Sequence, residues 1–378
     1  MGKPAALFGK FDSRTSRVAI LLPDLRGGGA ERLNLVLAEE FVRAGHEVEF
    51  ALLQARGELL SEAEARFPVR SLGCTRMRQA PLRLARYLRE RRPDALLAAM
   101  WPLTGIAGLA ARLSGYHGRL VASEHNDFRW MPSIKGYERW GLKRFGRRIY
   151  APCQKVVTVS DGVAESLGAV AGLFRDRIEV IHNPLRPMTP DAMTDEDRRA
   201  LDGWLASDTR LIAVGTLKPQ KGYDVLLRAF ADLRRRRDAQ LLILGDGPLR
   251  GDLEALARDL GVADSLWMPG FRPNPATFLE HAHVFVLSSN WEGFGNVIVE
   301  ALAAGVPVVS TDCPSGPAEI LAGGKYGRLV PVGDPGAMAQ AIEATRDSPP
   351  DLAPLIARAQ DFAPDKAARA YLSLLLGS

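Results

Sequence analysis

The sequence predicts an α/β fold of two domains, each built on a parallel sheet with crossover helices. Short runs rich in Val, Ile and Leu alternate with helical patterns along the whole chain, as strands buried on both faces require. A length of 378 residues, 47% hydrophobic and 25% charged, suits about two ordinary domains with a core each. Midway, Asn183-Pro-Leu-Arg-Pro-Met-Thr-Pro190 puts three prolines into eight residues, which neither a helix nor a central strand tolerates. The expected division is a first domain over 1–185, a second over 186–362, and a closing stretch, 363–378, that packs back toward the first.

In the first domain the strand candidates are Arg17–Leu22, Val48–Leu53, Ala95–Ala99, Arg119–Ser123 and Lys155–Val159. Between the first two, Leu33, Val36, Leu37, Phe41 and Ala44 recur at helical spacing, and Gly45 stands where the helix should stop. The second series begins after the prolines, with strands expected at Leu211–Val214, Gln240–Leu244, Val284–Leu287 and Pro307–Ser310. Asp365–Leu376 reads as the last helix. In such folds a ligand sits beyond the carboxyl ends of the strands, and a cleft between the two domains is expected to hold it.

The first 17 residues, MGKPAALFGKFDSRTSR, contain no apolar run of signal-peptide length, and no membrane-spanning run follows, so a cytoplasmic protein is expected. Cys74, Cys153 and Cys313 are odd in number and far apart, which argues against a disulfide framework or a paired-cysteine zinc site. The net charge of +5 is unevenly spread: residues 1–185 carry 29 Lys and Arg against 19 Asp and Glu, the remainder 20 against 25. A basic first half suggests an anionic partner there.

The densest chemical signal is Ser288-Ser-Asn-Trp-Glu-Gly-Phe-Gly-Asn-Val-Ile-Val-Glu-Ala-Leu-Ala-Ala-Gly305, which follows a strand and enters a helix apolar nearly all round. Such a helix is expected to be buried, so Glu300 within it needs hydrogen-bond donors, and the two hydroxyls of a ribose would serve. Glu292 lies in the loop eight residues earlier, roughly 12 Å away if the helical rise held throughout, within reach of a sugar. Gly293 and Gly295 let backbone amides and the helix N-terminus approach an anion closely.

This pair of glutamates resembles that of the retaining glycosyltransferases that fold as two Rossmann-like domains facing across a cleft, the GT-B arrangement of glycosyltransferase family 4 (glycosyl transferases group 1). The resemblance covers almost the whole chain: Gly27-Gly-Gly-Ala-Glu-Arg32, Gly45-His46, Val159-Ser-Asp-Gly162, Asn183-Pro184, Gly215-Thr-Leu-Lys-Pro-Gln-Lys-Gly222, Gly245-Asp-Gly-Pro248 and Gly305-Val-Pro-Val-Val309. It implies that Glu300 binds ribose, that Glu292 with Gly293, Phe294, Gly295, Asn296 and Val297 meets the transferred sugar, and that Lys221 meets the diphosphate. Lys221 also stands at a strand-to-helix loop, where an ammonium and a helix N-terminus both favour phosphate. Where the family commonly has arginine after the glycine this chain has Thr216, and Lys218 is the candidate replacement. Phe271 and Arg272 are expected near the base, Gly28 and Gly29 near the donor phosphates, and His125, in Ser123-Glu-His-Asn126, resembles the family position beside the reacting carbon.

Departure of a nucleotide diphosphate makes negative charge that fixed cations or a metal must stabilise. The chain offers cations. Its acidic triplet Asp195-Glu-Asp197 follows Thr194 and reads as a helix start, so no metal and no cofactor beyond the nucleotide sugar substrate is expected. By resemblance, the acceptor hydroxyl attacks on the face the leaving group departs from and loses its proton to the departing phosphate.

Between Phe128 and Tyr150 lie seven basic residues (Arg129, Lys135, Arg139, Lys143, Arg144, Arg147, Arg148), one acidic residue and six aromatics, Trp130 and Trp140 among them. Ile134, Tyr137, Leu142, Phe145 and Ile149 fall near helical spacing, so a basic amphipathic helix is expected, suited to an anionic membrane face or a lipid-linked acceptor. Arg76, Arg78, Arg83, Arg86, Arg89, Arg91 and Arg92 add to it. The plain alternative is a domain helix with a solvated basic face. Nucleic acid is not an expected partner, since no motif for it accompanies the charge.

The expectation is therefore transfer of a hexose or N-acetylhexosamine from a nucleotide diphosphate sugar, UDP favoured over GDP, to a glycan acceptor in a bacterial envelope pathway. A nucleotide-sugar epimerase of the same fold and a non-catalytic nucleotide-sugar-binding protein remain as alternatives. A nicotinamide-dependent oxidoreductase is disfavoured: Gly245-Asp-Gly247 is followed by Pro248 and Leu249, so the spaced third glycine is missing.

Overall fold

The computed structural model describes residues 15–131, 134–186 and 188–377; the signal-peptide expectation for the first residues falls largely outside them, as does Pro187 of the linker. The described residues form two all-parallel sheets, one of seven strands and one of six. They divide into two compact units, one running to Arg186 and completed from Ala363 onward, the other ending at Phe362.

The first sheet contains β1 (Arg17–Leu22), β2 (Glu47–Leu52), β3 (Val69–Ser71), β4 (Ala95–Ala99), β5 (Arg119–Glu124), β6 (Lys155–Thr158) and β7 (Ile178–Val180). Its order is β3-β2-β1-β4-β5-β6-β7. The second contains β8 (Arg210–Val214), β9 (Gln240–Leu244), β10 (Leu266–Gly270), β11 (Val284–Leu287), β12 (Val308–Thr311) and β13 (Arg328–Val330), in the order β10-β9-β8-β11-β12-β13. Each order reverses once, between β1 and β4 and between β8 and β11. At such a reversal the loops leaving adjacent strands splay to opposite faces and open a crevice.

All nine strand expectations correspond to strands here, within a residue at each end. The four that sequence reading missed, β3, β7, β10 and β13, are the sheet edges. Edge strands lie half in solvent, so they lack the continuous apolar run that marks β1 or β4; β3 buries none of its residues fully.

Both faces of the first sheet are covered. Leu21, Leu96, Ala98, Leu120 and Ala122 face one core with Leu84, Ala107, Leu142 and Leu167. Ile20, Leu22, Leu97, Val121 and Val157 face the other, with Leu37 and Phe41 of the helix Gly29–Arg43 and with Ala368, Tyr371, Leu372 and Leu375 of the last helix, Pro364–Leu376. Burial of Leu372 and Leu375 contributes about 1.5–3 kcal/mol each. Arg119 also donates to the Leu374 carbonyl, 2.9 Å. The three cysteines are separate, buried free thiols. Among the described residues no helix is long and apolar enough to cross a membrane.

Candidate functional site

The second sheet gathers the chemistry at its reversal. The loop leaving β8 runs Gly215, Thr216, Leu217, Lys218 into a single 3-10 turn, Pro219–Lys221, and then the helix Tyr223–Arg234. The loop leaving the neighbouring β11 runs Ser288 to Gly295 into the helix Asn296–Ala303. The two loops are stitched together: Asn290 N–H donates to the Gln220 carbonyl (2.8 Å), Gln220 Nε2 to the Trp291 carbonyl (2.9 Å), Asn290 Nδ2 to the Pro219 carbonyl (2.8 Å) and Ser288 Oγ to the Lys221 carbonyl (2.7 Å). Gly222 permits this approach. Its φ is +56°, and a Cβ there would lie 2.3 Å from the Ser288 carbonyl oxygen.

The stitching brings two predicted residues into contact. Lys221 Nζ donates to Glu292 Oε1 at 2.6 Å, and Ser289 Oγ donates to the same oxygen at 2.6 Å. Both charges are largely buried, with side-chain exposures of 14% and 8%. Glu292 N–H is bonded to the Pro314 carbonyl and Thr311 Oγ1 to the Ser289 carbonyl, so the end of β12 fixes the loop from the other side. The Cys313 thiol is pushed up to about 12, first by burial and then by the Glu292 charge. Lys218 is lowered from its usual lysine value by desolvation of its ammonium, then by the Lys221 charge, with Glu292 opposing, although the residue as a whole is exposed. Thr216 is exposed.

Beyond Glu292, Gly293 is half-buried, Phe294 is buried against Phe362 with ring centroids 5.6 Å apart, and Gly295 caps the helix that Asn296 begins. Gly316, at φ +100°, touches this turn so closely that a Cβ would sit 1.9 Å from the Phe294 carbonyl oxygen. Glu300 corrects the sequence reading: it is half-buried, and the fully buried carboxylate of the pair is Glu292. The helix buries Ile298, Val299, Ala301 and Leu302, while Asn296, Val297, Glu300 and Ala303 form a partly open stripe. Sequence neighbours of a helical residue lie about 100° around the axis, so apolar flanks at 299 and 301 do not enclose residue 300.

After β10, Phe271 is 53% exposed, and Arg272 is held by Asp197, Nη2 to Oδ1 2.8 Å. Asp197 belongs to the helix Asp195–Ala200, whose first turn is capped by Thr194 Oγ1, as the sequence implied; the side chain of Glu196 lies outside what is described. Among the described residues no group of three or more His, Cys, Asp or Glu could hold a metal ion.

In the other unit, Gly28 is the N-cap and Gly29 the first residue of the helix that follows β1, both exposed. His125 follows β5 and is buried; its Nε2 lies 3.1 Å from Ser123 Oγ, and burial lowers its pKa to about 4. The end of β5 is anchored on both faces. Ser123 meets Tyr371 of the last helix, whereas Glu124 accepts from Thr104 Oγ1 (2.6 Å), Tyr150 Oη (2.7 Å) and the Trp101 N–H (3.0 Å). Burial raises Glu124 to about 7 despite those three bonds. Sequence reading missed Ser289, Glu124 and Tyr371; Ser289 and Glu124 each stood inside a motif already singled out, Ser288–Gly305 and Ser123–Asn126, and Tyr371 did not.

The basic helix spans Gly136–Tyr150. Its expected apolar stripe splits: Ile134 before it and Leu142 within it are buried and Ile149 is half-buried, whereas Tyr137 (67%) and Phe145 (38%) are exposed, as are Trp140 (64%), Lys143, Arg144 and Arg148. Several expected cations are engaged internally. Arg129 forms a two-pronged pair with the buried Asp127, Arg139 donates to the Arg129 carbonyl, and Arg147 stacks on Phe174 at 4.1 Å. Trp130 is half exposed, and Lys135 caps the helix beside Glu138. In the second arginine cluster Arg86 pairs with Glu90 and Arg91 with Glu49.

Two family profiles match the chain: Glycosyltransferase Family 4 over residues 27–187 and Glycosyl transferases group 1 over residues 208–347. The lipopolysaccharide core biosynthesis glycosyltransferase LpsE of Rhizobium meliloti is 31% identical over 84% of this chain and 85% of its own length. The N-acetylgalactosamine-N,N'-diacetylbacillosaminyl-diphospho-undecaprenol 4-alpha-N-acetylgalactosaminyltransferase of Campylobacter jejuni is 29% identical over 62% of each chain. Coverage of curated relatives falls as low as 27% of the length of a 43% identical glycosyltransferase from Methanocaldococcus jannaschii. Among solved structures, Anabaena Alr3699/HepE in complex with UDP and glucose has the same fold, with a TM-score of 0.78 at 19% identity, covering 96% of this chain and all of that one.

Proposed function

This chain belongs to glycosyltransferase family 4, the glycosyl transferases group 1, and shares their GT-B fold; from that premise we propose that it moves a hexose or N-acetylhexosamine from a nucleotide diphosphate sugar, UDP in preference to GDP, to a glycan acceptor with retention of configuration. The observation that carries the proposal is the Lys221–Glu292 contact at the reversal of the second sheet, where open α/β sheets bind ligands. An ammonium offers three N–H donors and one is used by Glu292, so Lys221, with Lys218 and the N-terminus of the helix Tyr223–Arg234, can receive a diphosphate. Glu292 Oε1 is occupied by two donors, which leaves Oε2 for a sugar hydroxyl.

The leaving diphosphate gathers negative charge, and the fixed cations stabilise it without a metal. The acceptor hydroxyl attacks from the same face and its proton passes to the departing phosphate oxygen. Glu300 on its open stripe holds the ribose; Phe271 and Arg272 border the base; Thr216, Gly293, Phe294, Gly295, Asn296 and Val297 line the donor. From the first unit, Gly28 and Gly29 serve the phosphates and His125 the sugar. The names of the Rhizobium and Campylobacter relatives support bacterial polysaccharide or lipopolysaccharide synthesis and a lipid-linked acceptor for this chain as well. The exposed aromatic and basic face of the helix Gly136–Tyr150 supports a peripheral position on the anionic inner face of a membrane.

Calorimetric titration with UDP and with GDP, without added metal, tests the reading. Saturable binding of UDP is expected, and binding of neither nucleotide overturns it. Free isomerised donor appearing without acceptor would mark an epimerase instead.

A further inference from the structure

The helix Leu103–Ser114, LTGIAGLAARLS, is apolar nearly all round, with Arg112 its one charged residue. A helix of that composition belongs in a core. This one is only half enclosed. Leu103, Ala107, Ala110 and Ala111 pack into the core of the first sheet, whereas Ile106 is half-buried and Leu109 and Leu113 are 48% and 46% exposed. Pro102, Ile106, Leu109 and Leu113 follow one another at spacings of three and four, so they form one outward stripe.

Beside the stripe lies an open groove of about 350 Å³, whose other wall is Arg148 and Ile149 of the helix Gly136–Tyr150. The two helices meet closely because Gly108 lacks a side chain: a Cβ there would lie 2.6 Å from the Ile149 carbonyl oxygen. The charged residues lining the groove are two arginines, Arg112 and Arg148, both exposed. Arg112 Nη2 donates to the Arg148 carbonyl, 2.9 Å, and neither guanidinium is paired with a carboxylate among the described residues. Arg112 stands in the last turn of its helix and Pro102 before the first, roughly 15 Å apart at helical rise, so the groove joins an apolar end to a cationic one.

Charge and hydrogen bonding separate the occupants such a groove could take. A second copy of this chain about a two-fold axis would set Arg112, Arg144 and Arg148 against their own like charges. An extended peptide would press backbone N–H and C=O groups against Ile106 and Leu109, which offer them no partner. An acyl chain has no polar group to strand, and the phosphate at its head suits two unneutralised guanidinia.

We infer that this groove takes one acyl chain of an anionic phospholipid, the chain lying along Ile106, Leu109 and Ile149 toward Trp101 and the phosphate held by Arg112 and Arg148. The inference rests on the peripheral membrane position proposed above and makes it specific: the lipid is gripped by its chain, besides being attracted by the exposed Lys143 and Arg144.

Lysophosphatidylglycerol below its critical micelle concentration supplies one chain and one phosphate without a bilayer. Calorimetry of the full chain is expected to show a single site, weakened more than about tenfold by Leu109→Glu, which sets a carboxylate among apolar walls, and about fivefold each by Arg112→Gln and Arg148→Gln. In phosphatidylglycerol vesicles, bromine on the acyl chains should quench the fluorescence component that Trp101→Phe removes. Pelleting with vesicles, but with no lysolipid bound and no quenching of Trp101, overturns the inference and leaves the membrane position standing. A lysolipid bound at one site without pelleting supports the groove and counts against the membrane position alone. Absence of both overturns both. Self-association of the chain that Leu109→Glu abolishes, read by sedimentation velocity, puts a second copy in the groove and overturns the acyl chain. The lysolipid titration of the unmodified protein decides the question even where a variant fails to fold.

Discussion

Lys221 and Glu292 stand 71 positions apart and share a 2.6 Å hydrogen bond in a setting where each is largely removed from water. Separating such a pair leaves a lone buried charge, at a cost of about 3–5 kcal/mol. The site is thus preset before any ligand arrives. An anion drawn to Lys221 competes with Glu292 for its donors, and Ser289 keeps the carboxylate in place meanwhile.

Glu292→Gln keeps an oxygen for Lys221 and Ser289 but removes the charge. Turnover is expected to fall on the order of 10²-fold while the dissociation constant for UDP changes less than about threefold. Steady-state kinetics together with calorimetry separate the two quantities, and an unchanged kcat would remove Glu292 from the reaction.

Glu300→Ala should act on the nucleotide instead. Loss of the proposed contacts to the ribose hydroxyls is expected to weaken UDP binding about tenfold, near 1.4 kcal/mol. Equal affinities for the variant and the unmodified protein would refute the role.

Glu124 makes the first unit sensitive to pH. Its folded value of about 7 lies above the ordinary 4.5, so between those limits the folded state holds a proton that the unfolded chain has released. Stability conferred by the protonated form is therefore present below about pH 4.5 and lost as pH rises through 7, on the order of 3 kcal/mol in all. Melting curves from pH 5 to 7.5 should show this decline, and Glu124→Gln should flatten it. Parallel slopes for the two proteins would count against a protonated Glu124.

The proposed membrane docking would depend on charge at the helix Gly136–Tyr150. Reversing Lys143 and Arg144 to glutamate should lower sedimentation with anionic vesicles by about 10²–10³-fold in affinity at low salt, at about 1 kcal/mol per unit charge. If the double variant pellets like the parent, the face is merely a solvated one.

The strands near the middle of each sheet were legible because they are apolar throughout, Ala95–Ala99 and Val284–Leu287 to the residue. The edges were not, since half-exposed strands share their composition with loops. Glu292 and Lys221 could be named from their loops, yet nothing in the order of residues announces that they touch; that follows from β8 and β11 being neighbours. Glu300 was seated too deeply because an apolar run in sequence was equated with an apolar surround in space. Tyr371 was invisible for a different reason: its partner lies 248 positions away, on a strand that only the fold brings near.

The helix Pro364–Leu376 completes the first sheet, which makes the second unit, from a topological standpoint, an insertion within the first. A ribosome that has finished β1 through β7 has therefore not yet produced everything that half needs. One side of that sheet, which the helix Gly29–Arg43 covers only in part, stays partly bare, and open to chaperones or misassociation, until the codons for Tyr371 and Leu375 have been read. The intervening 188–362 segment can fold as an uninterrupted piece meanwhile, so a frameshift near the 3′ end of the coding sequence would injure the half translated earliest and spare the one translated last.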